Sequence, residues 1–276
     1  KSDLSAFLSP LIKQNKSIGF VPTMGALHQG HLSLLKNSLS ENDVTVMSIF
    51  VNPTQFNNAE DLDKYPRTLE RDVQIMQDLS NNIIVYAPEV ADIYEGNTIS
   101  ESFNYDGLEN QMEGKHRPGH FDGVGTIVKR LFEIVQPNKA YFGEKDFQQL
   151  QIVKKLVSKY NIPVDVIGCP IHREANGLAM SSRNERLSES AREKAAIIYQ
   201  ILNSAKEIFQ TNSAEQTIKF VENEFKKHPE FELEYFEIAD EATLLPVSEK
   251  ESEKKYRGFI AIFIENIRLI DNISLN

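Results

Sequence analysis

Ser17-Ile18-Gly19-Phe20-Val21, then Pro22, a helical stretch at 28–40, and Val44-Thr45-Val46-Met47-Ser48-Ile49-Phe50-Val51 form the part of the chain whose reading decides the fold. The first run has the composition of a short strand, which Pro22 is expected to stop because proline brings no N–H to a central ladder. Leu32, Leu35 and Leu39 recur at helical spacing between the two runs. The second run is nearly all apolar, the pattern of a strand covered on both faces in a parallel sheet. The unit repeats. A helix at 69–79 precedes Ile83-Ile84-Val85-Tyr86, a helix at 123–135 precedes Lys139-Ala140-Tyr141-Phe142, and a helix at 147–160 precedes Pro163-Val164-Asp165-Val166-Ile167. Such alternation implies an α/β fold: a doubly wound parallel (Rossmann-like) sheet with right-handed crossovers.

After Gly168 the texture changes. Amphipathic helices at 191–210 and 215–227 precede antiparallel-looking strands at 231–238 and 259–264. Strict alternation has ended, so a smaller C-terminal α+β domain is expected, with a division into residues 1–169 and 170–276. The mixed charge run at 249–255 reads as a solvated turn.

Composition bounds the function. Thirty Lys and Arg against 40 Asp and Glu in 276 residues give a net charge of −10. A duplex-binding surface needs Lys and Arg to neutralise phosphates, so nucleic acid is not an expected partner. Hydrophobic residues at 41% and charged residues at 25% are values of a globular chain. The single cysteine, Cys169, forbids an intramolecular disulfide and a Cys-rich metal site. No stretch reaches the ~18–20 apolar residues of a membrane span, and Lys1-Ser2-Asp3-Leu4 lacks the basic-then-apolar start of a signal peptide. No membrane association and a cytoplasmic location are the resulting expectations.

Four segments carry chemistry. Pro22-Thr23-Met24-Gly25-Ala26-Leu27-His28-Gln29-Gly30-His31 lies between a buried strand and a helix, where open parallel sheets bind ligands. Unpaired N–H groups at a helix N-terminus would make it a phosphate seat, and His28 and His31, three apart, would share one side of the helix. A P-loop is excluded because His31-Leu32 stands where Lys-Ser/Thr is required. A zinc site from the two histidines lacks the His-Glu-x-x-His spacing, and plain helix capping remains the bland alternative. Gly177-Leu178-Ala179-Met180-Ser181-Ser182-Arg183-Asn184 supplies hydroxyls and a cation that could wrap a triphosphate, although an ordinary polar turn reads the same way. Gly143-Glu144-Lys145-Asp146 follows a strand, with Lys145 placed as a phosphate cation and Asp146 as a helix cap or ribose ligand. Asn52-Pro53-Thr54-Gln55 offers neutral amides able to orient hydroxyls or a carboxylate. Gly123-Val124-Gly125 has neither the third glycine nor the preceding strand of a dinucleotide fingerprint, and His120 in Arg117-Pro118-Gly119-His120-Phe121 is expected to be structural.

The His-x-Gly-His motif with the downstream Met-Ser-Ser-Arg loop resembles the nucleotidylyltransferase superfamily. Residues 20–31, 48–56, 117–121 and 142–149, with an end near Arg268-Leu269-Ile270-Asp271-Asn272, resemble the pantothenate synthetase (pantoate–β-alanine ligase) family in order and over nearly the whole chain. The resemblance implies ATP-dependent condensation of pantoate with β-alanine through a pantoyl adenylate, releasing AMP and pyrophosphate. It implies His31 as proton donor beside His28, with Lys145 and Arg183 completing the catalytic set. Met24, Gly25, Ala26, Leu27, His28, Gln29, Gly30, His31, Gly143, Glu144, Lys145, Asp146, Met180, Ser181, Ser182 and Arg183 would contact ATP. Gln55, Gln149 and Asn52 would hold pantoate or β-alanine. The resemblance also implies Mg²⁺ and a homodimer. Asp72 is a candidate magnesium ligand or water-holder, set against the reading that a lone helix aspartate decorates the surface. His172 departs from the family's apolar residue, at a position whose backbone would touch adenine. Residues 180–184 are expected to belong to a closing lid. A nucleotidylyltransferase acting on a phosphorylated acceptor would instead call for extra Lys or Arg near residues 52–55, where this chain has amides.

Overall fold

The computed structural model describes residues 1–276 and divides into two compact units. The first comprises Lys1–Glu109, Gly114–Glu144 and Gln149–Pro170; the second comprises Asn110–Glu113, Lys145–Gln148 and Ile171–Asn276.

In the first unit, β1 (Ile18–Thr23), β2 (Val44–Ile49), β3 (Ile83–Tyr86), β4 (Lys139–Gly143) and β5 (Asp165–Cys169) form one parallel sheet in the order β3-β2-β1-β4-β5. Helices Gln29–Glu41, Leu69–Leu79 and His120–Val135 supply crossovers. Val21, Leu35, Met47, Met76 and Tyr141 pack together as fully buried side chains on one side, and Phe20 meets Phe132 edge-on at 6.2 Å. Burying a side chain of that size contributes about 1.5–3 kcal/mol.

Pro22 does not end the first strand. It continues in register with Ser48. The reason lies in the side to which its missing N–H points. Ser17 and Thr23 use their carbonyls toward β2, accepting from Val44 and Phe50, while Ile18 accepts from Asn138 on the β4 side. Even-numbered residues of β1 therefore address β4. The β1–β4 register holds Gly19↔Lys139 and Phe20↔Ala140 and then ends, so the absent donor falls where no ladder remains. The same divergence opens the sheet at the strands' carboxyl ends, at the point where strand order reverses, which is where such folds take ligands.

In the second unit, β6 (Phe231–Asp240), β7 (Tyr256–Ile264) and β8 (Ile267–Ser274) form an antiparallel sheet in that order. Helices Glu189–Lys194, Ala196–Thr211 and Ala214–Phe225 share its apolar core through Ala191, Ile201, Leu202, Phe209 and Val221. The single helix expected at 191–210 is two, parted at Ala195. The third strand goes beyond the two expected: β7 and β8 are joined by Glu265 and Asn266, both at positive φ (52° and 61°), the geometry of a type I′ hairpin turn. A glutamate is a poor sequence signal for that turn. Its carboxylate is held here by the amide and hydroxyl of Ser188. No helix is long and apolar enough to cross a membrane.

Candidate active site

The loop leaving β1 turns sharply. Gly25 has φ +83° and Ala26 φ +50°, a region costly for a residue with a Cβ. Asp72, on helix Leu69–Leu79 and fully buried, holds this turn. Its Oδ2 accepts the Ala26 N–H at 2.9 Å, and its Oδ1 accepts the Leu27 N–H at 2.8 Å and the Thr68 hydroxyl at 3.1 Å. This corrects the reading of Asp72 as surface decoration. Both oxygens already serve protein donors inside the fold, so a cation at Asp72 would have to share them with the turn. No group of three or more His, Cys, Asp or Glu side chains is arranged to hold a metal ion.

His28 caps helix Gln29–Glu41. Its Nδ1 accepts the Gly30 N–H at 3.1 Å, and the Nδ1 of His31 accepts the His28 N–H at 3.3 Å. The rings lie 4.0 Å apart at 35°, both half-buried. An Nδ1 that accepts cannot carry the proton, so each neutral ring bears its hydrogen on Nε2. Capping and donation are thus compatible, one nitrogen for each. The expected seat of unpaired amides is different from what forms. The amides of Gly25, Ala26, Leu27, His28, Gly30 and His31 all have acceptors within the loop or on Asp72.

The amide loop after β2 is equally organised. Asn52, 1% exposed, donates from Nδ2 to Gln55 Oε1 at 3.1 Å and to the Gly123 carbonyl at 3.1 Å. Its Oδ1 accepts the Tyr94 hydroxyl at 2.5 Å and the Thr54 hydroxyl at 3.2 Å. With its oxygen accepting, the amide orientation is fixed, and Gln55 is left to direct Nε2 at Met24 Sδ, 3.0 Å away. The Gln55 carbonyl accepts from His120 Nδ1 at 2.8 Å and from Arg117 at 3.3 Å, so His120 is structural, as expected. Gly123 is required because a Cβ there would lie 2.4 Å from the Thr54 carbonyl oxygen. Burial pushes the Tyr94 hydroxyl up, which keeps it a donor. Neither Tyr94 nor Gly123 carries a local sequence signal for this role, since their partners are some 40 and 70 positions away.

Gly143 closes β4 opposite Cys169, Glu144 follows it, and Gln149 is half-buried on helix Phe147–Lys159. Cys169 is buried, receives Asn37 Nδ2 at 3.3 Å, and has its thiol pushed up by burial.

In the second unit, Lys145 is 18% exposed in its side chain, with Asp146 Oδ1 3.7 Å from its ammonium. Lys145, Ala179, Ser181, Asn184 and Asp271 line one small recess. Met180-Ser181 is not a free loop. The Met180 amide donates to the His172 carbonyl at 3.0 Å, and Ser181 Oγ accepts the Arg183 N–H at 3.2 Å, capping a 3₁₀ turn over Ser182–Arg186. Ser182 is buried, Arg183 half-buried and His172 exposed. Burial pushes the Asp271 carboxyl up, against the pull of the Arg173 guanidinium that grips it at 2.6 and 3.0 Å.

Comparison with known proteins adds the rest. The family described as pantoate-beta-alanine ligase matches residues 1–274. A pantothenate synthetase of Flavobacterium psychrophilum is 65% identical over 275 residues, covering 100% of this chain and 98% of that one. The crystal structure of pantothenate synthetase from Thermus thermophilus superposes with a TM-score of 0.91 at 41% identity, over 99% of this chain and 97% of that one. A pantoate-beta-alanine ligase from Francisella tularensis, solved with beta-gamma ATP and beta-alanine, gives a TM-score of 0.80 at 38% identity, over 99% and 95% of the two chains.

Proposed function

The chain belongs to the pantoate-beta-alanine ligase family, and from that premise we propose how its own residues carry out the ligation of pantoate with β-alanine. ATP is the activating substrate. The pantoate carboxylate attacks the α-phosphorus; an O–P bond forms, the bond to the β-phosphate breaks, and pyrophosphate leaves with the electron pair. The β-alanine amine then attacks the acyl carbon of the pantoyl adenylate. A C–N bond forms, AMP leaves with the C–O electron pair, and the amine loses a proton to give pantothenate.

The observation that carries the residue assignment is the paired cap at His28 and His31. Because both Nδ1 atoms accept backbone protons, both Nε2 atoms are donors, the property needed by groups that stabilise charge developing on phosphate oxygens. His31 is assigned as the principal donor and His28 as its companion. Gln55, oriented through Asn52, is assigned to pantoate together with Gln149. Asn52 itself acts through Gln55, since its Nδ2 hydrogens and its oxygen already serve protein partners. Lys145, Ser181, Ser182 and Arg183 are assigned to the phosphates, with Arg183 able to fork onto two oxygens. Met24, Gly25, Ala26, Leu27, Gln29, Gly30, Gly143, Glu144, Asp146, Met180 and the His172 backbone complete the assigned nucleotide contacts.

Mg²⁺ is proposed to arrive with ATP as part of the substrate, because the chain presents no cluster that would hold it. A homodimer and a cytoplasmic location complete the proposal, supported by the family resemblance and, for the location, by a lone buried thiol. Light scattering tests the first.

The deciding experiment is a pair of assays. Incubation with ATP, pantoate and β-alanine should yield AMP and pantothenate one for one. Pyrophosphate–ATP exchange should require pantoate and proceed without β-alanine. Exchange that needs no pantoate, or a product that retains the adenylyl group, would overturn the adenylate mechanism.

A further inference from the structure

Lys145 owes its place to a residue far from it in the chain. Asn272 lies on β8 opposite Phe259 and is 1% exposed. Its Nδ2 donates to the Lys145 carbonyl at 2.9 Å. Its Oδ1 accepts from Arg257 Nη1 at 2.6 Å. Arg257 is itself fixed: its Nε donates to Glu241 Oε1 at 2.8 Å, and its guanidinium stacks 4.0 Å over the ring of Phe147, two residues after Lys145. A guanidinium can only donate, so the amide oxygen must face Arg257 and the amide nitrogen must face Lys145. The orientation leaves no second choice.

A buried cation, a buried amide and a backbone carbonyl in series make a costly polar arrangement to place inside a fold unless every member is satisfied. Here each is, and the series ends on the main chain of a lysine whose neighbouring side chains Ser181 and Asp271 line the same recess. We propose that Asn272, oriented by Arg257, is a positioning residue for Lys145, setting the height of its ammonium above the recess for phosphate contact. The proposal rests on the assignment of Lys145 to the phosphates. Misplacing a charge-stabilising group by about 1 Å is enough to cost on the order of 10²-fold in rate.

Asn272→Asp tests it. The carboxylate keeps an acceptor for Arg257 but turns an oxygen toward the Lys145 carbonyl in place of the N–H. Pantoate-dependent pyrophosphate–ATP exchange is measured for Asn272→Asp, Lys145→Ala and the double variant, with thermal unfolding of each. The expected result is an exchange kcat lower by roughly 10–100-fold in Asn272→Asp, a pantoate KM within about twofold of the parent, and under threefold further loss when Asn272→Asp is added to Lys145→Ala, as coupled residues require. An undiminished kcat in Asn272→Asp, or the same loss in both backgrounds, overturns the proposal. A Lys145→Ala variant as fast as the parent overturns the underlying assignment, a separately recognisable result. If Asn272→Asp does not fold, Asn272→Ser goes through the same cycle, and the same outcomes support or overturn the proposal.

Discussion

The Asp72 carboxylate holds Ala26 in a left-handed conformation: Oδ2 receives the Ala26 N–H at 2.9 Å while φ at Ala26 stands at +50°. A strained turn persists only where its surroundings over-determine it, and here one buried carboxylate serves two successive amides and a threonine hydroxyl. Asp72→Ala leaves both amides buried and unpaired, at about 1–3 kcal/mol each. The expected loss is about 3–5 kcal/mol in urea unfolding, with exchange activity falling alongside, since His28 follows the turn directly. Retention of stability to within about 1 kcal/mol would show that the turn holds itself.

His31 can be dissected by nitrogen. Asparagine places an amide oxygen near the site of Nδ1 but has nothing at Nε2. His31→Asn should therefore keep the cap on the His28 amide, with stability within about 0.5 kcal/mol of the parent, while losing roughly 10²–10⁴ in adenylation, the range for removing a positioned donor. His31→Ala should lose both. Full exchange activity in His31→Asn would confine His31 to the cap.

Much of the first unit is legible in the sequence because apolar strand-length runs leave a plain record: the largely buried Val44–Ile49 and the half-buried edge strand Ile83–Tyr86 lie where nearly continuous apolar runs put them. Pro22 misleads because its consequence depends on which neighbour its N–H would address, a property of the sheet and not of the residue. The hairpin at Glu265-Asn266 is hidden because its support, Ser188, is 77 residues away. At the site, residue types are readable and their partners are not. Two histidines three apart suggest a shared face, yet only geometry shows that each caps with one nitrogen. Asp72 looks idle in the sequence because a helix aspartate on its own gives no sign of the turn it anchors.

Acid should expose the start of β1. The Ser17 amide, with the Lys16 ammonium and the Ser17 hydroxyl, holds the Asp43 carboxyl at about 2, below its ordinary 3.8. A group with a lowered folded pKa contributes stability that is complete above its unfolded value and lost as pH falls through the folded one. The contribution should thus be whole above about pH 4 and vanish toward pH 2. Asp43→Asn should be less stable than the parent at pH 6, and the gap should narrow over that window when urea midpoints are compared. A constant gap would mean the charge of Asp43 does not matter.

Gln55 is held through Asn52 and, behind it, Tyr94, and changes at the two ends of this line predict graded effects on the same parameter. Gln55→Ala removes the assigned pantoate contact, so its pantoate KM should rise by tenfold or more, the equivalent of one lost hydrogen bond at about 1.4 kcal/mol. Tyr94→Phe removes only the hydroxyl that pins Asn52 Oδ1. It keeps the ring under Arg130, whose guanidinium carbon sits 4.8 Å from the centroid, so the fold should survive. Asn52 would keep the Thr54 hydroxyl and the Gly123 carbonyl but lose its shortest contact, loosening its hold on Gln55 Oε1 and raising pantoate KM by roughly threefold to tenfold with the ATP KM unchanged. In the Gln55→Ala background the Tyr94 change should have nothing left to act on. Steady-state kinetics with pantoate and ATP varied separately decide the matter: a rise in both KM values, or an undiminished Tyr94 effect without Gln55, would place Tyr94 in general packing and not in the line that leads to the acceptor acid.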